Sequence, residues 1–204
     1  MSEKIHRLVA FTGAGISKQS GIPTFEELDN RALLTRRFCQ VHPKEFYDNL
    51  LSMERVCRGA RPNAAHLALF AGKVPVITMN IDGLHQRAGS RDAMEIHGSL
   101  SQVHCRAGGV DYPFAQIEEG YTCPRCGRVL DHDVVLYDDN LALLPMALRL
   151  AGSAQELLVV GTSFYTSTSS YVTDYARDRG ARITIINQDA AHEVPAYLKR
   201  LHII

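Results

Sequence analysis

Three groups of residues have types and spacings suited to chemistry. In FTGAGIS, residues 11–17, Gly13 and Gly15 follow an apolar run and let the backbone turn sharply, bringing N–H groups against a phosphate, and Ser17 adds a hydroxyl. An ordinary strand-to-helix turn explains the same glycines. The third glycine position of a dinucleotide fingerprint is Lys18, and no acidic residue closes a second strand about 20 residues on, which disfavours an ordinary NAD dehydrogenase. In VPVITMNIDGLHQRAG, residues 74–89, Asn80 and Asp82 stand where the apolar run ends. Together they offer the donors and acceptors that a carboxamide such as nicotinamide's requires, or they are turn formers capping the next helix. His97 in EIHGS titrates near neutrality and is able to take a proton from a hydroxyl; a structural role is the alternative. In the third group, Cys123 and Cys126 form a Cys-x-x-Cys pair, while Cys105 has Gly108 where its partner would stand. Two such pairs separated by about 15–20 residues bind zinc tetrahedrally. With three thiols, either the fourth ligand comes from His104, Asp111 or His132, or the cysteines form a small reduced core; zinc is the expectation. Cys39 and Cys57 fall in helical patterns and read as core or surface thiols.

The elements that must position these residues alternate. Short β-branched or aliphatic runs at 7–12, 74–79, 156–161 and 181–187 read as buried parallel strands, with helical patterns at 43–58, 63–72, 140–150 and 169–179 between and after them. That order predicts a doubly wound α/β sheet, in which ligands sit outside the carboxyl ends of the strands. The rule gathers the glycine loop, Asn80 and Asp82 at one crevice. Residues 105–131, rich in Gly, Pro and Cys, break the rhythm and read as an insert with its own staple.

At 204 residues the chain is one domain, or one domain with an insert. Lys plus Arg and Asp plus Glu are both 22, so no net field draws it to nucleic acid or an anionic membrane. The N-terminal apolar run is too short for a signal-peptide core and no stretch reaches transmembrane length, so a cytoplasmic protein is expected. Five cysteines, an odd number, suit a reducing compartment and metal binding better than a disulfide framework. Oligomeric state leaves no trace in the sequence.

The motifs FTGAGIS, SGIPTF, TMNIDGLHQRAG, EIHGS, GTS at 161–163 and Asn187 in IINQD occur in an order and spacing that resembles the sirtuins, NAD-dependent protein lysine deacylases. The resemblance implies a Rossmann-like domain over 1–102 and 133–204 and a small zinc-bearing, ribbon-like lobe over 103–132, with NAD and an acyl-lysine protein or peptide meeting between them. It implies that Gly13, Ala14, Gly15 and Ser17 line the diphosphate and ribose, with Ile22, Pro23 and Met79 alongside, and that Phe25 covers the nicotinamide side. Asn80 and Asp82 would hold the carboxamide, with Ile81 beside them. Gly161, Thr162, Ser163 and Asn187 would surround the adenine-side ribose and phosphates, and Cys105, Cys123 and Cys126 would hold zinc. His97 would be the base that activates a ribose hydroxyl after nicotinamide leaves.

The chain departs from the family's pattern in four places. GIPTFE, 21–26, puts Glu26 where the family commonly has Arg, exchanging attraction to a phosphate for repulsion unless Arg31, Arg36 or Arg37 substitutes. Met79 replaces Gln. DVVLYDDN, 133–140, replaces the Phe-Gly-Glu triplet of the peptide-binding segment with Tyr137, Asp138 and Asp139, although strand addition uses mainly backbone groups. The loop at 164–170 lacks the usual proline. Beside NAD-dependent deacylation, two alternatives are therefore carried forward: NAD glycohydrolysis or ADP-ribosyl transfer, and a nucleotide-binding module with little catalysis.

Overall fold

The computed structural model describes residues 5–24, 27, 31–164 and 167–204. In chain order the described strands are β1 (Val9–Thr12), β2 (Val76–Thr78), β3 (Met94–Glu95), β4 (Gln102–Cys105), β5 (Val110–Pro113), β6 (Asp131–His132), β7 (Glu156–Val160) and β8 (Arg182–Ile186). The helices are α1 (Arg36–Val41), α2 (Pro43–Gly59), α3 (Ala64–Ala71), α4 (Leu84–Ala88), α5 (Leu144–Gly152), α6 (Ser167–Asp178) and α7 (Ala190–Arg200). Short 3-10 helices cover Ala14–Ser20, Arg31–Leu33 and Phe114–Glu118. No helix among the described residues is long and apolar enough to cross a membrane.

The expected doubly wound sheet is present. Its order is β3-β2-β1-β7-β8, all parallel, so the connections reverse direction between β1 and β7. Side chains alternate between the two faces, as the period of a strand demands. Leu8, Ala10, Leu158 and Val160 pack with Ala65, Leu69, Val194 and Leu198 of α3 and α7 on one face. Val9, Phe11, Leu157 and Val159 pack with Ala147, Ala151, Val172 and Ala176 of α5 and α6 on the other. Every one of these side chains is buried, which is why the strands read as continuous apolar runs. Helix α3 starts at Asn63, whose side chain accepts from the Ala65 N–H at 3.0 Å while the His66 ring reaches back to the Asn63 N–H. Helix α5 starts later than the apolar pattern suggests, with Pro145 in its first turn, because a turn at 142–143 precedes it.

The irregular segment forms a second sheet, with β4 central and β5 and β6 antiparallel to it. Its core is not self-contained: Val103, Phe114, Ile117 and Leu130 pack against Phe46, Tyr47 and Leu50 of α2, and onward to Ile81, Val134 and Leu136. The Tyr47 hydroxyl donates to the Leu130 carbonyl, fastening α2 to the small sheet. Helix α2 thus joins the cysteine lobe to the crevice.

Candidate active site and cysteine cluster

The reversal between β1 and β7 places two glycine loops side by side at the carboxyl ends of the strands. They touch backbone to backbone. The Gly13 N–H donates to the Val160 carbonyl at 2.9 Å and the Gly15 N–H to the Gly161 carbonyl at 2.8 Å. A Cβ on Gly15 would lie 2.6 Å from the Gly161 Cα, and one on Gly161, at φ +66°, 2.2 Å from the Ile16 nitrogen. The expectation that both glycines offer bare N–H groups to a phosphate is therefore corrected: those donors are used between loops. Ala14, first in its 3-10 helix, has no intrahelical acceptor for its N–H. On the β7 side, the Asn187 side chain accepts from the Thr162 N–H at 3.1 Å and so shapes the loop that carries the exposed Ser163.

At the end of β2, the two readings of Asn80 and Asp82 meet in one network. Asp82 Oδ1 accepts from the Leu84 N–H at 2.9 Å, which starts α4, while Oδ2 accepts from the Ser17 hydroxyl at 2.7 Å and from Asn80 Nδ2 at 3.1 Å. Asn80 Nδ2 also reaches Ser17 Oγ at 3.0 Å. Ser17 and Asn80 are buried. Behind them, buried His85 shares a 3.0 Å hydrogen bond with Thr12 Oγ1 and lies 4.8 Å from the His66 ring, centroid to centroid. Burial drives both imidazoles toward the neutral form, His85 down to about 3 and His66 down to about 4.

His97 follows β3. Its ring is hydrogen-bonded to the Met79 main chain, and burial, the larger influence, lowers its pKa below the ordinary histidine value. The adjacent Gly98 has φ +75°, and a Cβ there would lie 1.8 Å from the Asp133 carbonyl oxygen. Only glycine lets the segment after β6 pass so close. That segment has no regular secondary structure at 133–136, and its Val135 N–H donates to the His97 carbonyl at 2.9 Å.

These elements enclose a cavity of about 760 Å³. The two touching loops contribute Gly13, Ala14 and Gly15, and Gly161, Thr162, Ser163 and Asn187; Met79, Asn80, Ile81 and His97 continue the wall. Ser17 and Asp82 sit behind that wall, bonded to Asn80, and Ile22 and Pro23 are half-buried outside the lining. Phe25 and Glu26 lie outside the described residues, as do Tyr165 and Thr166 of the 164–170 loop. The motifs do not point to Leu34, which packs with Val134 and Leu136 and with them and Leu141 adds apolar lining, or to Lys18 and Glu27, which add charged lining. Lys18 Nζ stands 2.7 Å from Glu27 Oε1 and, with Thr24, holds that carboxyl down to about 2. Of the arginines considered for the phosphate, Arg36 is committed elsewhere: it grips Asp139 through Nε at 3.1 Å and Nη2 at 2.6 Å, and its N–H donates to Asp138 at 2.7 Å. Asp138 and Asp139 thus fasten the 133–139 segment to α1. Arg31 lines the cavity with its guanidinium 5.1 Å from the Tyr137 ring centroid.

In the small sheet, the sulfurs of Cys105, Cys123 and Cys126 lie within 4.8 Å of one another, the Cys105–Cys126 pair at 3.4 Å. A tetrahedral zinc with Zn–S near 2.3 Å sets its sulfurs about 3.8 Å apart, so the cluster fits the ion. None of the proposed fourth ligands joins it. His104 precedes Cys105 on β4 and points to the other face, where its ring nitrogens lie 2.8 Å from Asp111 and 2.8 Å from Asp133. His132 is buried against Phe46 and Tyr47. The residue the sequence did not reveal is Tyr112, whose hydroxyl, 3.5 Å from Cys123 Sγ, lowers that thiol to about 6. Cys39 and Cys57 stand apart from the cluster.

The Sir2 family model matches residues 13–168. A NAD-dependent protein deacetylase of Caldivirga maquilingensis is 40% identical over 197 residues, covering 88% of this chain and 77% of that protein. A NAD-dependent protein deacylase of Aeropyrum pernix is 36% identical over 200 residues, covering 89% and 80%. Among solved structures, a Sir2 homologue mutant in complex with ADP-ribose superposes with a TM-score of 0.85 at 27% identity, over 96% of this chain and 91% of that one. Sir2Tm bound to a propionylated peptide gives 0.83 at 27% identity, over 97% and 94%. The matched span runs from the first glycine loop past β7, and so takes in the crossing loops, the Asn80 network, His97 and the cysteine cluster; the chain belongs to the Sir2 family.

Proposed function

We propose that this chain removes acyl groups from protein lysine side chains with NAD as co-substrate, releasing nicotinamide and an O-acyl-ADP-ribose. The observation that carries the reading is that His97 and Asn80 line the same cavity as the two touching glycine loops. The cavity's 760 Å³ lies within the range of small-molecule sites, and its lining offers an amide, hydroxyls and an imidazole. NAD supplies the sugar carbon that accepts the acyl oxygen, with nicotinamide as the leaving group.

The chain's own residues then have separate tasks. Asn80, held from behind by Ser17 and Asp82, presents its amide to the carboxamide in one fixed orientation. Preorganisation of this kind removes the entropy of searching for the reactive pose. His97, kept neutral by burial, takes the proton of a ribose hydroxyl at Nδ1 or Nε2. Thr162, Ser163 and the Ala14 N–H serve the phosphates and the adenine-side ribose. Leu34, Val134 and Leu136 give the aliphatic stem and acyl group an apolar wall, and the 133–136 backbone receives the peptide by strand addition. Residues 1–102 and 133–204 bind NAD, and 103–132 carry the metal through Cys105, Cys123 and Cys126, where zinc would tie the two cysteine turns together. All five cysteines are free, in keeping with a reducing cytoplasm.

The test is nicotinamide release measured with and without an acetyl-lysine peptide. Peptide-dependent release with formation of acyl-ADP-ribose is expected. Equal release without peptide would replace the reading with NAD glycohydrolysis, and binding without release would leave a nucleotide-binding module.

A further inference from the structure

The cysteine cluster supplies three donors to an ion that takes four. We infer that the fourth coordination position at Cys105, Cys123 and Cys126 belongs to an exchangeable ligand from solution, water at rest and a small monothiol when one is present. The inference rests on the zinc reading of this cluster. The first support is a comparison of the two turns. The Gly108 N–H donates to the Cys105 carbonyl at 3.1 Å, and the N–H of Gly127, one residue past Cys126, to the Cys123 carbonyl at 2.8 Å, so each chain folds back beside its first cysteine. In the second turn Cys126 brings a thiol to the cluster; in the first, Gly108 brings none.

Gly108 nonetheless faces the site. A Cβ built on it would lie 3.3 Å from Cys105 Sγ with no other atom within 4 Å. Its φ is outside the left-handed region, so the backbone there does not require glycine. The space a donor side chain would occupy is therefore open. It also faces water, since Gly108 and Cys126 are both exposed. Among the described residues no His, Asp or Glu completes the group. His104 is held by Asp111 and Asp133, and the Tyr112 hydroxyl is directed at Cys123 Sγ.

The class of ligand follows from charge and softness. An ion already bound by thiolates prefers a further soft sulfur donor to a carboxylate. A small cavity beside Cys105 is lined by Arg106, Arg128 and Asp131; Arg106 is paired with Asp131, which leaves the Arg128 guanidinium to favour the approach of a thiolate.

The experiment replaces the native metal with cobalt(II) in the full chain and follows the thiolate-to-cobalt charge-transfer band while 2-mercaptoethanol is added. Going from three to four Co–S bonds, the band should grow saturably by about a third. Gly108→Cys should show the larger band from the start and not respond, whereas Gly108→Ala should start from the three-thiolate intensity. A wild-type spectrum with four-thiolate intensity, or one indifferent to added thiol, would overturn the open position while leaving the metal site intact. Folded protein that retains neither zinc nor cobalt would instead remove the zinc reading, and this inference with it. The wild-type titration decides the matter even if Gly108→Cys does not fold.

Discussion

His97 illustrates how burial prepares a side chain for its task. Desolvation disfavours the imidazolium, so the ring stays a neutral base below the pH at which an exposed histidine would be half charged. The acidic limb of kcat/KM should therefore lie below 6.5, the ordinary histidine value; a limb at or above it would contradict the role. His97→Ala should lower kcat by about 10²–10⁴-fold. Calorimetry should find NAD binding in that variant little changed. Ser17 acts at one remove, through Asp82 and Asn80. Ser17→Ala leaves buried acceptors and donors short of a partner and should cost about 1–3 kcal/mol in denaturant unfolding. It should also raise KM for NAD, because the Asn80 amide loses one of its two restraints.

Among the elements, the crossing of the two glycine loops sets the site's geometry. Gly161→Ala meets the Ile16 nitrogen at 2.2 Å from a left-handed backbone, so overpacking of about 1–3 kcal/mol adds to the conformational cost of positive φ. The loops should part, and both the denaturant midpoint and NAD affinity should fall. Gly59→Ala at the end of α2 is the contrasting case: no atom lies within 4 Å of the new methyl, and φ is not positive. That variant should be neutral or slightly more stable, as helix propensity requires. A loss comparable to that of Gly161→Ala would show that close approach is not what the loop glycines provide. Helix α7 shows packing outweighing local preference. Pro195 sits inside it and removes one backbone donor, yet Ala190, Val194 and Leu198 bury against the sheet and carry the helix through.

At the scale of the whole molecule, two features couple distant parts. The core that runs from Phe114 and Leu130 through Phe46 and Leu50 to Ile81 and Leu136 makes the small sheet and the crevice share their packing. Phe46→Ala should cost about 3–5 kcal/mol and weaken metal retention along with NAD binding. The second feature is the buried pair His66 and His85. Their pKa values, about 4 and about 3 in the fold against 6.5 in the open chain, mean that the unfolded state takes up protons first as pH falls. Their contribution is complete above 6.5 and is lost progressively toward 3. The denaturant midpoint should drop between pH 7.5 and pH 5, and His85→Gln should reduce that dependence. A midpoint independent of pH over this interval would mean that the pair is not held neutral.

The sequence by itself determined the layered sheet, because strands buried on both faces leave continuous apolar runs and the helices between them a period of 3.6 residues, and because glycine and proline mark where they end. It also determined the family, through motifs in register along most of the chain, and the side of the sheet where they gather. Only the tertiary structure decided what the individual groups do. Gly13 and Gly15 spend their N–H groups on Val160 and Gly161, Arg36 is taken by Asp139, His104 turns away from the cysteines that Tyr112 approaches, and Leu34 packs with Val134 and Leu136. Most of those outcomes join residues far apart in the chain, and the nearer ones, His104 with Asp111 and Tyr112 with Cys123, cross between strands or turns. Which donor finds which acceptor is settled by packing, and packing leaves no period in the sequence to read.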